Sequence, residues 1–204
     1  MVDSPRTRPA KPALSRDSIV TATLGLVGEL GCAAVSMRRV AQALDTAAAS
    51  LYVHIADRDE LMRLAHDLAV RDVDLPTGAD GDWRDRLELL VTRTVAALAR
   101  HGDIAAVGLT DAAAGPAGLR IIDELLRLMR DGGIPDRACA WAIDLLGQHI
   151  AAAALEGTAT PTHRDDLAPY PTLRELAPLL TSGTPDARAR WKLRVLLDGL
   201  LAQP

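Results

Sequence analysis

Apolar residues recur at three- and four-residue spacing along the chain, and no useful length alternates with a period of two. This pattern predicts an all-α protein. The expected helices, in chain order, cover residues 16–30, 37–44, 47–54, 58–74, 82–101, 103–113, 116–131, 136–156, 172–181 and 185–202.

Capping residues mark where several of these helices begin. Ser15 and Ser36 precede the first two apolar periodic segments, and their hydroxyls are suited to cap backbone amides. Asp57, followed three residues later by Glu60, resembles a capping box. The pair Asp45-Thr46 is expected to make a tight break between the second and third helices.

Composition limits the class of protein. The chain has 204 residues and is 49% apolar, enough for a substantial core, and it contains no Phe, three Trp and two Tyr. Its interior must therefore be mostly aliphatic. Two cysteines, 107 residues apart, match no disulfide or metal pattern, so a reduced cytoplasmic protein is expected. The apolar segment 138–155 contains Asp144, Gln148 and His149, which argues against a membrane span.

Charge does not by itself indicate a nucleic-acid binder. Residues 1–60 contain seven Lys or Arg and seven Asp or Glu, so the net charge of −4 resides in residues 61–204. Residues 1–14 are Pro-rich with Arg6, Arg8 and Lys11, and we interpret them as a flexible basic arm. Contact with DNA therefore requires a local basic patch.

The first three predicted helices have the dimensions of a helix-turn-helix, about fifteen, eight and eight residues with a very short link before the third. The third lies within the stretch TAAASLYVHI, residues 46–55. Its small front suits close approach to base edges, where Ala47, Ala48 and Ala49 meet thymine methyl groups. Ser50 is suited to donate to a base or a phosphate.

Polar and basic residues surround this predicted reading helix. Tyr52, His54 and Arg58 are placed to hold phosphates. Arg38 and Arg39, at the start of the second helix, add positive charge on the same side. Of the two, Arg38 is expected to reach a guanine.

The segment from Leu14 to Ala65 resembles the TetR family of transcriptional regulators, most specifically in SMRRVAQAL, SLYVHI and DRDEL. The resemblance implies that Ser36 caps the second helix near a phosphate and that Arg38 contacts a base. It also implies that residues 47–50 face the major groove and that Tyr52 and His54 contact the DNA backbone. Arg58 stands where the family usually has Lys, which also contacts phosphate.

Two features depart from the family pattern. The turn usually carries Gly and then an apolar residue, whereas this chain has Asp45-Thr46. Asp tolerates the left-handed conformation but repels phosphate. The groove-facing residues are almost all Ala, so sequence specificity is expected to come from Arg38, from the arm or from DNA shape.

The later helices predict a dimer. Between residues 138 and 155 the only formal charge is Asp144, and a helix that is apolar nearly all round is buried on more than one side. The last helix carries a leucine stripe, namely Leu193, Leu196, Leu197, Leu200 and Leu201. Two such helices from each chain predict a four-helix interface in a homodimer. Segments 115–146 and 189–203 resemble tetracycline-repressor-like C-terminal domains.

A ligand pocket is predicted between the fourth helix and residues 82–156. Gln148 and His149 are the strongest candidates, because burying a polar group on an apolar helix is costly unless that group has a binding partner. The full set of candidate ligand-binding residues is His66, His101, Thr110, Met129, Trp141, Gln148 and His149, with Met129 and Trp141 as walls.

These observations predict three regions: the arm at 1–14, a helix-turn-helix DNA-binding domain at 15–60, and an effector-binding and dimerisation domain at 61–204. The predicted function is a ligand-responsive homodimeric repressor of a near-palindromic operator. One alternative is an all-α enzyme or ligand-binding protein with a vestigial head, and another is an activator or effector-free regulator of the same fold. No catalytic, dinucleotide, phosphate-loop or metal motif occurs, so no cofactor is expected.

Overall fold

The structure, a computed structural model, describes residues 14–110, 115–156, 169–180 and 182–202. Their regular structure is entirely helical. The helices are α1 (Arg16–Leu30), α2 (Met37–Ala43), α3 (Ala48–Leu51), α4 (Arg58–Val70), α5 (Trp83–Ala99), α6 (Val107–Thr110), α7 (Pro116–Asp131), α8 (Asp136–Glu156), α9 (Pro171–Leu180) and α10 (Pro185–Leu201). Three 3₁₀ turns cover Cys32–Ala34, Gly78–Asp80 and Ile104–Ala106. The predicted arm lies almost wholly outside the described residues.

The all-α prediction is confirmed, with small differences at helix ends. The third helix is shorter than predicted, because the amides of His54 and Ile55 both bond to the carbonyl of Leu51 and turn the chain. The fourth ends at Val70 rather than near residue 74. The predicted helix at 103–113 divides into the turn Ile104–Ala106 and α6.

Helices α1, α2 and α3 form a compact head around Ile19, Val40, Leu51 and Ile55, all of which are fully buried. The caps act as the sequence predicts. Ser15 Oγ accepts the amide of Ser18 at the start of α1.

Helix α4 begins against the head and continues into the rest of the chain, which we call the body (α4–α10). Asp57 Oδ1 accepts the amide of Glu60 (2.8 Å), as a capping residue should. The reciprocal bond of Glu60 goes to the amide of Ala56 (2.6 Å), and the same carboxylate forms an ion pair with Arg16. The predicted boundary between residues 60 and 61 therefore falls inside a helix anchored to α1.

The body is built on α5, α7 and α8, with α10 packed against α8. Its centre contains Leu87, Leu128 and Leu146, which are fully buried. Of the leucine stripe on the last helix, Leu193, Leu197 and Leu200 are buried within the chain itself, whereas Leu201 is exposed. The buried leucines face inward because α10 closes the body's own core.

Helix α8 is long and apolar enough to cross a membrane by length and composition, the one such helix in the described ranges. Core helices of soluble proteins meet the same criterion. Cys139, Ala142 and Leu146 are buried against other helices of the body, so α8 is already a core helix on one side.

Candidate nucleic-acid interface and cavity

The turn between α2 and α3 has the tight geometry of a helix-turn-helix. Asp45 adopts a left-handed conformation with φ of +49°, the one non-glycine residue with positive φ among those described. The amide of Thr46 bonds to the carbonyl of Ala41 (2.9 Å), which folds α3 back across α2. Asp tolerates this conformation at low cost, so the departure from Gly leaves the turn intact.

Leu51 anchors α3 in the head and leaves small residues on its outer face. Ala47 and Ala49 are exposed, and Ala48 and Ser50 are partly buried. This surface has no bulk that would keep the helix backbone away from a groove.

The turn that follows α3 carries larger exposed groups. Tyr52 is 55% exposed and Val53 is 81% exposed, while His54 is half-buried. Val53 was not predicted as a site residue. Its exposure could have been inferred, because it does not fit the apolar spacing of the head, in which Leu51 and Ile55 on either side of it are buried.

The start of α2 presents two arginines beside this surface. Ser36 Oγ accepts the amide of Arg39 (3.3 Å), which caps α2 as predicted. Arg38 is exposed, and Arg39 Nη1 donates to the carbonyl of Ala34 (3.4 Å). Ala47, Ala49, Tyr52, Val53 and Arg38 thus share an exposed end of the molecule, which we call the reading surface.

Arg58 is engaged differently from the predicted phosphate contact. Its Nε donates to the carbonyl of Val35 (2.9 Å), and its Nη2 donates to the carbonyl of Cys32 (2.7 Å). The guanidinium of Arg58, an exposed residue, therefore binds backbone carbonyls of the head. Lys, with one ammonium group, cannot reproduce this fork.

A cavity of about 450 Å³ lies in the body beneath α4. It is within the range usual for small-molecule sites. The walls come from α4, α5, α6, α7 and α8 and from the turn before α6. The lining residues are Arg63, His66, Val70, Thr94, Leu98, Ala105, Val107, Gly108, Leu109, Gly115, Gly118, Ile121, Ile122, Leu125, Ile143, Asp144, Gly147, Gln148, Ile150 and Ala151.

Of the predicted ligand-binding residues, His66 and Gln148 line this cavity. Gln148 lies on a partly open wall and is exposed rather than buried. Two charged lining residues, Arg63 and Asp144, were not predicted as site residues. Asp144 was detectable as the single charge in an apolar helix, whereas nothing in the pattern of α4 singled out Arg63.

The other predicted residues lie elsewhere. Met129 is fully buried in the core, so it is not a cavity wall. Trp141 is 63% exposed on α8, where the guanidinium of Arg137 lies 4.2 Å from its ring centroid. His101 and His149 are outside the cavity lining as well. The side chain of Thr110 lies outside the described residues.

Burial lowers the pKa of His66, and the nearby carboxylate of Asp67 opposes part of that effect. The imidazole is therefore neutral at pH 7 and offers the cavity one donor and one acceptor. Gly108 packs closely beside it, because a Cβ at that position would lie 3.1 Å from Nε2 of His66 and the imidazole would have to move slightly.

Neither cysteine is a reactive thiol. Burial, reinforced by the adjacent carboxylate of Asp103, raises the pKa of Cys32 to about 12. Burial also raises the pKa of Cys139. Within the described ranges, no three His, Cys, Asp or Glu side chains are grouped as metal ligands.

The outer sides of α8 and α10 carry exposed apolar residues. These are Trp141 and Leu145 on α8, and Trp191 and Val195 on α10, with exposed fractions between 48% and 67%. Each pair is four residues apart and therefore shares one side of its helix. We call these two sides together the α8–α10 face.

The head and the body together define a class of protein, the one-component regulator, in which a helix-turn-helix head is joined by a helix to a domain with a cavity. A family model described as "Tetracyclin repressor-like, C-terminal domain" matches residues 75–203. The chain belongs to the TetR family. The resemblance seen in the sequence is confirmed.

Individual relatives agree with this assignment. The HTH-type transcriptional repressor DrrR1 of Streptomyces coeruleorubidus is 32% identical over 149 residues, covering 72% of this chain and 55% of the relative. The class D tetracycline repressor protein of Escherichia coli is 27% identical over 206 residues, covering 93% of this chain and 90% of the repressor. The chain spans about half the length of the curated relatives it matches first.

Among solved structures, apo ActR of Streptomyces coelicolor superimposes with a TM-score of 0.81 at 32% identity, covering 93% of this chain and 98% of ActR. ActR has also been solved in complex with (S)-DNPA and with actinorhodin. These relatives are regulators, so an enzyme with a vestigial head is not favoured.

Proposed function

We propose that this protein is a homodimeric, ligand-responsive transcriptional regulator that represses transcription from a near-palindromic operator until a small molecule releases it. The observation that carries the proposal is the shared position of α4. Its first residue, Arg58, binds backbone of the head, and its later residues His66 and Val70 line the cavity. One rigid element thus connects the reading surface to the cavity.

The reading surface assigns roles on DNA. Arg38, exposed at the start of α2, reads a guanine in the major groove. Ala47, Ala48 and Ala49 face thymine methyl groups, and Ser50 donates to a base or a phosphate. Arg39, Tyr52 and His54 hold phosphates, with Ser36 at the capped start of α2 close to one. Residues 15–60 serve as the DNA-binding domain in this proposal.

The α8–α10 face serves as the dimer interface. Two helices from each chain form a four-helix contact with twofold symmetry. A dimer places two heads on successive major grooves, about 34 Å apart, which matches the spacing of half-sites. Residues 61–204 then form the effector-binding and dimerisation domain.

The cavity accepts a small, mostly apolar effector. Its lining is predominantly aliphatic, with His66, Gln148, Arg63 and Asp144 as polar groups able to orient a ligand. The complexes of ActR with (S)-DNPA and actinorhodin support a small-molecule effector in a related fold. His101 and His149 remain predictions for ligand contact with no support from the cavity lining, and Thr110 remains a prediction whose side chain lies outside the described residues.

Release requires that the effector prefer a conformer whose heads no longer fit the half-sites. Moving the population from 1:99 to 99:1 needs about 5.5 kcal/mol of difference in binding free energy between the two conformers. Since α4 contacts both the cavity and the head, it is the element whose position would differ between them. We further propose a cytoplasmic, non-enzymatic protein.

Selection from a random-sequence duplex library tests the proposal. The wild-type protein should enrich an inverted repeat, and its affinity should fall steeply as salt rises. The variant combining Arg38→Ala with Tyr52→Ala should bind that duplex about tenfold more weakly or worse.

A matched control uses the same two residue types in the body, Arg174→Ala combined with Tyr170→Ala, both exposed in the structure. This control should bind DNA like the wild type. If the two double variants bind equally well, the reading surface is not where the protein meets DNA.

A further inference from the structure

The backbone of Cys32 is held from two sides. Its amide donates to Asp103 Oδ1 (2.6 Å), and its carbonyl accepts from Arg58 Nη2 (2.7 Å). Cys32 opens the turn Cys32–Ala34, which joins α1 to α2. The only covalent link between the first two helices of the head is therefore clamped by two charged side chains that belong to neither helix.

Asp103 brings the cavity wall to this link. It directly precedes the turn Ile104–Ala106 and α6, and these contribute Ala105, Val107 and Gly108 to the cavity lining. The backbone beside Asp103 is pressed against the end of α1. Gly102 has φ of +60°, and a Cβ there would lie 2.9 Å from the carbonyl oxygen of Val27.

Arg58 closes the clamp from α4. Besides the carbonyl of Cys32, it binds the carbonyl of Val35 (2.9 Å), so one guanidinium spans both ends of the turn. Val35 immediately precedes Ser36, the capping residue of α2. The position of Arg58 therefore fixes where α2 begins and, through α2, where Arg38 and α3 point.

We propose that Asp103 and Arg58 are positioning residues for the reading surface and that Arg58 does not neutralise a DNA phosphate. Together they transmit the position of the cavity wall to the helix-turn-helix through the backbone of Cys32, by a route separate from the length of α4. The inference rests on the proposed DNA-binding function, and it names residues that would control it without touching DNA.

The salt dependence of DNA binding separates positioning from phosphate contact. Each phosphate contact that is lost makes the plot of log affinity against log salt shallower by about one. Affinity should be measured over a range of salt concentrations with the duplex that the wild type enriches from a random library. Arg39→Ala, at a proposed phosphate contact, serves as the reference for a reduced slope.

Arg58→Lys is the decisive variant because it keeps the charge and removes the fork that spans two carbonyls. We expect about tenfold weaker binding with the slope of the wild type. A lysine variant that binds as tightly as the wild type would show that charge alone is needed at this position. Arg58→Ala should likewise weaken binding and leave the slope unchanged, and a slope lowered by about one would overturn the proposal.

Asp103 provides an independent arm, since it lies in the body. Asp103→Ala should weaken DNA binding about tenfold with an unchanged slope, and Asp103→Asn, which keeps an acceptor oxygen, should restore most of the affinity. Asp123→Ala, an exposed carboxylate on α7, controls for the general effect of removing negative charge. Wild-type affinity in Asp103→Ala, or equal losses in Asp103→Ala and Asp103→Asn, would overturn the role of this hydrogen bond.

Circular dichroism melting shows whether each variant is folded. Should Asp103→Ala be unfolded at the working temperature, Arg58→Lys decides the question by itself. If the wild-type protein binds no duplex at low salt, the proposed function fails. If the wild type binds and these variants bind like it, the function stands and only the positioning role is lost.

Discussion

Asp67 and Arg120 cap each other's helices across the contact between α4 and α7. Asp67 Oδ1 and Oδ2 accept the amides of Gly118 (2.9 Å) and Ala117 (3.4 Å) in the first turn of α7. In return, Arg120 Nη2 donates to the carbonyls of Arg71 (3.1 Å) and Val73 (2.7 Å), just beyond the end of α4. The distal end of α4 is thereby fixed to a wall of the cavity.

Removing the carboxylate of this pair should destabilise the fold. Gly115, the residue before α7, has no side chain to cap the helix, so Asp67 is its side-chain cap. Asp67→Ala should lower the free energy of unfolding by about 1–2 kcal/mol, measured by urea denaturation. Asp123→Ala on α7 is the matched control and should change it by less than about 0.5 kcal/mol. Equal effects of the two substitutions would show that Asp67 does not act as a cap.

A charge on the α8–α10 face should separate the dimer. Val195 is 52% exposed there, and burying a glutamate at an apolar interface without a partner is costly. Val195→Glu should elute as a monomer in size-exclusion chromatography with light scattering, whereas the wild type should be a dimer. Leu119→Glu, at a similarly exposed leucine of α7 (56%), should stay dimeric. A dimeric Val195→Glu protein would place the interface elsewhere.

A larger side chain in the cavity should weaken ligand binding there and leave DNA binding unchanged. Gly147 lines the cavity, and a Cβ there would meet no atom within 4 Å, so a methionine side chain has room to enter. Gly147→Met should reduce the fluorescence enhancement of the apolar dye 8-anilinonaphthalene-1-sulfonate severalfold. Gly25→Met, at an equally open and exposed helical glycine of α1 outside the cavity, is the control. Unchanged dye binding in Gly147→Met would mean that the dye binds outside this cavity.

His66 should make the fold less stable in mild acid. Burial lowers the pKa of His66 in the folded state below its ordinary value of 6.5, so the unfolded chain takes up the proton first. The contribution of His66 is fully present above pH 6.5 and is lost as the pH falls from there through the folded-state pKa. His66→Gln should therefore lose less stability than the wild type between about pH 7.5 and pH 5.5, measured by thermal or urea unfolding. His101 and His149, whose pKa values burial also lowers, are present in both proteins and cancel in the comparison.

Much of the fold was predictable because its signals are local. Ser15, Ser36 and Asp57 cap helices by accepting amides three residues away, so the neighbouring sequence contains both partners of each bond. The head was predictable for the same reason, since the turn at Asp45 depends on one residue that tolerates a left-handed backbone. The dipeptide after α2 differs from the family pattern and still forms the turn.

Hydrogen bonds between residues far apart in the sequence were not predictable. Asp103 and Cys32 are 71 positions apart, and Asp67 lies 50 from Ala117. Hydrophobic periodicity and amino-acid composition do not predict which residues distant in sequence will be in contact. Arg58 illustrates the limit. The resemblance that implies a phosphate contact lies in the local sequence, whereas the hydrogen bonds of Arg58 to the carbonyls of Val35 and Cys32 reach back 23 and 26 residues.

The leucines of α10 show a related limit. Periodicity identifies an apolar stripe but does not say whether the chain's own core or a second copy covers it. Leu193 and Leu197 are fully covered within the chain, and the exposed side of the helix is instead marked by Trp191. The sequence showed one leucine stripe on this helix, and the packing of α10 on α8 shows which of these leucines the chain's own core covers.

Two of the chain's three indoles, Trp141 and Trp191, lie on the exposed sides of α8 and α10, while the third, Trp83, is partly buried beside Gly132. In the proposed dimer, the two exposed indoles would therefore be an intrinsic fluorescent reporter of self-association. Emission from the pair at the surface should shift to longer wavelength as dilution uncovers them, without any label and without a change in the fold of each subunit.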